Sequence, residues 1–236
     1  MQPVLTHRWD LDDEEAGALQ TQLADCIITD DLLPVHVNTV AGVDVAYEEG
    51  GTRAFAAVVV IDVVNGEPQQ IVSAEARTRF PYSPGLLSFR ELPVLAAAFD
   101  KLFVRPDLVI CDGQGRAHPR RFGLACHIGL IYDLPTIGCA KTCLVGEADE
   151  PGSARGSVTQ LVYEGEILGA VLRTRDGVKP LYVSPGHRVS LRTACDWVLA
   201  LCSQYRIPEP IRMADQVVNK FKRQATSHVF KVESED

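Results

Sequence analysis

Between residues 39 and 80, three β-rich apolar runs (40–47, 54–63 and 70–78) follow one another with only Glu49-Gly50-Gly51 and Asn65-Gly66 as punctuation. Connections this short leave no room for a crossover helix, so the spacing predicts a three-stranded antiparallel meander. From there the pattern alternates. Leu92, Leu95, Phe99 and Leu102 recur at helical spacing within 86–103, and Pro93 fits that pattern if the regular helix begins near Glu91. A buried strand at 108–111, a helix near 120–132, a strand at 136–140, a β-pair at 167–173 and 181–183, and helices at 190–205 and 210–222 complete the expectation. Ahead of the meander, residues 12–28 read as an amphipathic helix with Leu19, Leu23, Cys26 and Ile27 on one face, opened by acids suited to its positive end and serving as a cover for the core. Strands first, then alternating strand and helix, imply an α/β fold with a mixed sheet flanked by helices.

The chain of 236 residues is 46% hydrophobic, ample for a buried core, and its one small polar stretch, 146–156, has the length of a surface loop rather than a linker. A single domain spanning 1–236 is expected. No run of about 18 apolar residues exists, which argues against a membrane span. The acidic WDLDDEE near the N-terminus is unlike a signal peptide, so a cytoplasmic location is expected. Seven cysteines sit mostly in apolar runs, and Cys139 and Cys143 lack a second Cys or His pair at zinc spacing; reduced thiols fit better.

A net charge of −8 opposes any role as a non-specific nucleic-acid coat. The signs are segregated, however. Acids crowd 10–15, 147–150 and 233–236, whereas Arg116, His118, Arg120, Arg121, Lys141, Arg173, Arg175, Lys179, His187 and Arg188 are nearly uninterrupted by acids and are expected to form a basic groove facing phosphates.

Three acids stand where such a chain turns back toward one edge of a sheet: Asp44 within the first apolar run, Glu91 near the start of a helix, and Asp112 just after a buried strand. A charge inside an apolar run is costly unless it is paired or coordinates a metal. A divalent metal acting on phosphodiesters needs carboxylates drawn from separate elements, and two or three suffice because Mg²⁺ keeps several waters. Asp44, Asp112 and Glu91 are therefore the candidate metal ligands. Lys141, after a buried strand, is a candidate to orient an attacking water or hold a phosphate oxygen, and His118 to contact phosphate or assist proton transfer near neutral pH.

The segments VAGVDVAY (40–47), FPYSPGLLSFREL (80–92), DGQGRAHPRRFGLACHIG (112–129), IGCAKTCLVG (137–146) and YVSPGHRVSL (182–191) occur in an order and spacing that resemble the endonuclease V family from about residue 34 to 215. The resemblance implies a ribonuclease H-like mixed β-sheet flanked by helices, in agreement with the order of elements. It implies a Mg²⁺-dependent endonuclease, with Mn²⁺ as a possible substitute, that recognises deoxyinosine in DNA and cuts the second phosphodiester on the 3′ side, leaving 3′-hydroxyl and 5′-phosphate ends and beginning repair of deaminated adenine. Pro81, Tyr82, Ser83 and Pro84 match the strand-separating wedge, a role that suits an aromatic stiffened by prolines on both sides. Gly85, Leu87, Gly113, Gly123, Gly138 and Leu144 would line the pocket for an extruded hypoxanthine. Asp215 would supply a fourth acid as in related nucleases, although an exposed helical Asp is its ordinary explanation.

One departure is visible: where the family commonly has Asp-Gly-His-Gly, this chain has Asp112-Gly113-Gln114-Gly115, an amide that cannot ionise. Two alternatives stay open: an endoribonuclease of the same fold acting on inosine in RNA, and a non-catalytic inosine-binding module. The expected partners are deoxyinosine-containing DNA or inosine-containing RNA, no membrane is expected, and a monomer is expected.

Overall fold

The meander forms as the short connections require: β1 (Thr39–Tyr47), β2 (Arg53–Asp62) and β3 (Pro68–Arg77) pair antiparallel in sequence order. In this computed structural model, which describes residues 1–232, those three strands occupy one side of an eight-stranded mixed sheet. The acidic run at 233–236 lies outside the described residues. Beyond the meander come β4 (Leu108–Cys111), β5 (Thr136–Ala140), β6 (Val158–Tyr163), β7 (Glu166–Leu172) and β8 (Leu181–His187), in the spatial order β3-β2-β1-β4-β5-β8-β7-β6. β1, β4 and β5 run parallel, so their carboxyl ends open on one edge of the sheet. In open α/β sheets that edge is where ligands bind.

Five helices complete the chain: α1 (Asp13–Ala24), α2 (Leu87–Phe99), α3 (Leu124–Tyr132), α4 (Leu191–Leu201) and α5 (Glu209–Val232). α2 and α3 bury Leu92, Leu95, Phe99 and Ile128 against one face of the sheet. α4 and α5 bury Ala194, Val198, Ile211 and Ala214 against Val40, Ile110, Ile137 and Leu181 on the other. The first turn of α5 lies directly on β1: a Cβ on Gly42 would stand 2.1 Å from the Pro210 carbonyl carbon.

Three details differ from the expectation. α2 begins at Leu87, not near Glu91, so Pro93 is inside the helix. An interior proline costs about 3 kcal/mol, and burial of Leu92, Val94, Leu95 and Phe99 at about 1.5–3 kcal/mol each outweighs it. β6 was not anticipated; it is a half-exposed edge strand joined to β7 through Glu164 and Gly165, both at positive φ, the conformation of a two-residue hairpin. α3 starts later than residue 120 because Arg121 takes φ 54° in a turn ahead of it. No helix among the described residues is long and apolar enough to cross a membrane.

Candidate active site

Parallel pairing of Val43 with Cys111 makes Asp44 and Asp112 the next residues on adjacent strands, and Lys141 follows β5 on the same edge. The Lys141 ammonium donates a hydrogen bond to Asp112 Oδ2. α2 brings in Glu91, only 8% exposed, whose Oε1 accepts from the Tyr47 hydroxyl at 3.3 Å. α5 brings Asp215 close enough to act on both Asp44 and Lys141.

The acids repel one another. Burial first, then the charges of Asp112 and Asp215, push the Asp44 carboxyl up to about 7. Burial, then Asp44, pushes Glu91 up to about 8. Lys141 is held above the ordinary ammonium range: burial opposes its charge, but the hydrogen bond and charge of Asp112, joined by Asp44 and Asp215, more than offset it. Carboxylates strained in this way are hard oxygen donors suited to a small divalent cation. Among the described residues no group of three or more His, Cys, Asp or Glu side chains is placed to hold one ion; Asp44 and Asp112, on adjacent strand ends, offer the paired carboxylate oxygens that are the donor chemistry of Mg²⁺.

A pH dependence follows. Carboxyls in the unfolded chain lose their protons near pH ~4, whereas Asp44 and Glu91 in the fold keep theirs to about 7 and about 8. The folded state thus binds more protons across that window, and metal-free stability falls as pH rises through it. Asp44→Asn is expected to stabilise the metal-free protein at pH 8 by on the order of 2–4 kcal/mol, and not at pH 4. Thermal melts in chelator at the two pH values check this; a variant no more stable than the parent at pH 8 refutes the strain.

Beside the acids lies a cavity of about 290 Å³. Of the six expected pocket residues, Gly85, Leu87, Gly113, Gly123 and Leu144 line it, together with Ser88, Leu124, Thr142 and Cys143, which the motifs had not marked. Tyr82, Ser83 and Pro84 form its rim, with Tyr82 72% exposed. Pro81 adjoins them in the same loop. That loop is held at both ends: Arg90 Nη1 donates to Phe80 O at 3.0 Å, and Ser83 Oγ donates to Asp13 Oδ2 at 2.7 Å. Gly85 turns the chain at φ 78°, a conformation that favours glycine.

Gly138 is not among the lining residues. Its missing side chain serves packing, because a Cβ there would lie 2.1 Å from Gly115 N, and so the loop that carries Asp112 rests on β5. His118 also departs from expectation. It is 4% exposed, Nε2 donates to Gly85 O at 2.9 Å, and Nδ1 accepts from the Arg120 amide at 3.2 Å. Both nitrogens are taken, and burial holds the ring down at about 4, so neutral His118 pins the pocket rather than titrating near pH 7. Gln114 Nε2 donates to Thr142 O at 3.1 Å, tying the Asp112 loop to the segment after β5.

The expected basic groove is largely dismantled. Arg116 pairs with Glu166 at 2.5 Å and Arg121 with Glu164 at 2.9 Å, acids that the hairpin of β6 and β7 brings opposite them. Arg120 donates to Gln20 Oε1 at 2.6 Å and to Gly85 O at 2.9 Å, which makes α1 a brace for the pocket as well as a cover. Arg173 pairs with Glu150, Arg188 with Asp133, Arg175 binds the Gln204 carbonyl and His187 is buried. Of this group, Lys141 alone stands within the acid cluster.

The chain is similar in sequence and fold to known proteins. The family profile described as Endonuclease V matches residues 21–216. Endonuclease V of Myxococcus xanthus is 48% identical over 223 residues, 94% of each chain. Among solved structures, Endonuclease V of Streptomyces avermitilis is 44% identical with a TM-score of 0.88, covering 92% of this chain and 96% of that one. Endonuclease V of Ciona intestinalis, solved with a 24mer DNA containing an inosine followed by a ribo-adenosine, is 28% identical with a TM-score of 0.80, over 90% of this chain and 98% of that one. The shared architecture is the ribonuclease H-like mixed sheet flanked by helices.

Proposed function

This chain belongs to the endonuclease V family, and from that premise we propose that it is a Mg²⁺-dependent endonuclease which takes an inosine base into the 290 Å³ cavity and cuts the nucleic-acid strand on the 3′ side of it, at the second phosphodiester. The observation that carries the reading is the adjacency of Asp44 and Asp112 on parallel strand ends to a cavity walled by glycine and leucine and rimmed by Tyr82. The Ciona relative, bound to inosine-containing DNA, supports the choice of base and of DNA as partner. Initiation of repair of deaminated adenine is the process this activity would serve.

Asp44 and Asp112 would hold the cation, with Mn²⁺ as a substitute, and Glu91 would reach it through water. When bound, the cation would activate water and neutralise charge on the leaving oxygen. Lys141 Nζ, already on Asp112, would place its remaining protons toward a nonbridging phosphate oxygen. Glu91, held by Tyr47, would keep a water in register with Asp44. Tyr82 would fill the stack left by the extruded base, while His118 and Arg120 would hold Gly85 against that base. The ends left would be a 3′-hydroxyl and a 5′-phosphate.

Cleavage of matched oligonucleotides carrying one deoxyinosine, one riboinosine or only adenine, with and without chelator, tests the reading, and end-labelling locates the cut. Cutting that ignores inosine, or persists in chelator, refutes it. A preference for the RNA substrate moves the assignment to an endoribonuclease, and inosine binding without turnover moves it to a binding module. Tyr82→Ala is expected to weaken binding to the inosine strand by about 1–3 kcal/mol, the worth of one aromatic–base stack. Unchanged affinity would leave Tyr82 as a packing residue.

A further inference from the structure

A second cavity, of about 420 Å³, lies on the other side of the wedge loop, where the start of α2 meets the ends of β2 and β3. Its walls are Trp9, Phe89 and Pro93 together with three arginines, Arg77, Arg79 and Arg90, and among the described residues no acid lines it, although the chain carries a net charge of −8. Arg90 is committed, to Phe80 O and Gly51 O at 3.0 Å each and over the Tyr47 ring. Arg77 and Arg79 are exposed and have no side-chain partner among the described residues. Arg77 also stands opposite Arg53 in the β2–β3 register, a like-charge pairing that costs stability. Arg53 takes Glu75 at 2.7 Å and Glu48 at 3.6 Å, which leaves Arg77 without a counter-charge. Trp9 packs against His7, His127 and Phe89, with ring centroids 4.2, 5.8 and 6.5 Å away, and its half-buried side chain lines the cavity.

An aromatic platform beside unpaired guanidiniums is the combination that holds single-stranded nucleic acid, with bases stacking on the ring and phosphates meeting the cations. Phe80 and Arg90 line this cavity and also anchor the loop that carries Tyr82, so a strand parted by the wedge would have its neighbouring nucleotide delivered here. We propose that this cavity seats one unpaired nucleotide of the strand parted by Tyr82, its base on Trp9 and its phosphate on Arg77 and Arg79. The inference rests on the nuclease reading for its ligand and adds a site outside the acid cluster and the inosine cavity.

Replacing Trp197 by Phe leaves Trp9 the sole tryptophan and so a reporter of the cavity. Titration with an unmodified thymidine tract and with a forked duplex carrying deoxyinosine is expected to quench Trp9 fluorescence. Trp9→Ala is expected to weaken binding roughly 5- to 150-fold. Because that variant removes packing, Arg77→Ala with Arg79→Ala gives an independent reading on exposed positions. The pair should flatten the log–log salt dependence of single-strand binding by roughly 0.7 for each phosphate that the arginines neutralise. Unquenched Trp9 at saturating strand, or a slope unaltered by the arginine pair, overturns the proposal. Inosine cleavage by the parent is followed in parallel: cutting without a Trp9 response removes this site and leaves the nuclease reading intact. A Trp9 response and a flattened slope in a protein that does not cut at inosine keep the site and remove that reading.

Discussion

Asp44→Asn and Asp112→Asn are each expected to slow strand cleavage by roughly 10²–10³-fold while leaving affinity for an inosine strand nearly unchanged, since loss of one preorganised electrostatic group costs about that much. The two substitutions act by different routes. Burial and the charges of Asp112 and Asp215 push the Asp44 carboxyl up to about 7, and a bound cation would favour the charged form that these surroundings oppose. Asp112 is the partner of Lys141, and the amide would release that ammonium as well as weaken the cation's hold. Single-turnover cleavage at saturating Mg²⁺, with binding measured in Ca²⁺, separates chemistry from affinity. Either variant cutting at near the parental rate would remove the acid pair from the centre.

Gly138→Ala is expected to damage both stability and rate although it touches neither the proposed cation ligands nor the cavity. Its new Cβ would meet Gly115 N at 2.1 Å and Gln114 C at 2.5 Å, backbone atoms that cannot rotate aside. Overpacking of this kind costs about 1–3 kcal/mol, and to relieve it the loop after β4 must rise from β5 by about 1 Å, a displacement that costs about 10²-fold in rate at a reacting centre. The melting temperature and the cleavage rate should fall together. A variant with parental values of both would show that the loop is not seated as described.

The three strands of the meander were legible because each is a bounded apolar run and their connections admit one arrangement. The two acids were legible for a related reason: a charge in or just after a buried strand has few uses. β6 escaped because an edge strand with one wet face carries a weak apolar signal, although Val158, Leu161 and Val162 ahead of Glu164-Gly165 were its trace. The basic groove misled because like signs near one another in sequence say nothing of what faces them; Glu164 and Glu166 arrive on the hairpin of the strand that was missed. Gly138 was assigned to the base when its missing side chain is needed by a neighbouring backbone, a distinction invisible without the loop above it. By itself Asp215 looked like an ordinary surface acid, although the likeness to related nucleases had already offered it as a fourth acid. The close approach of Pro210 to Gly42 is what brings its helix to the strand edge, and a glycine inside an apolar run was a residue-level hint of that approach.

That approach of α5 to β1 also ties the acid-bearing strand edge to a distant part of the chain. Asp44, Glu91, Asp112 and Lys141 all precede Glu209–Val232 in the chain, yet the sheet face carrying Val40 on β1 and Phe55 and Ala57 on β2 is covered by that later helix. A chain cut before α5 would therefore keep the acids on β1, α2 and the β4 loop while losing Asp215 and the helix that backs their strands. The same loss would open a broad apolar sheet face to proteases, so resistance to proteolysis and the geometry of the acid cluster hang on one helix.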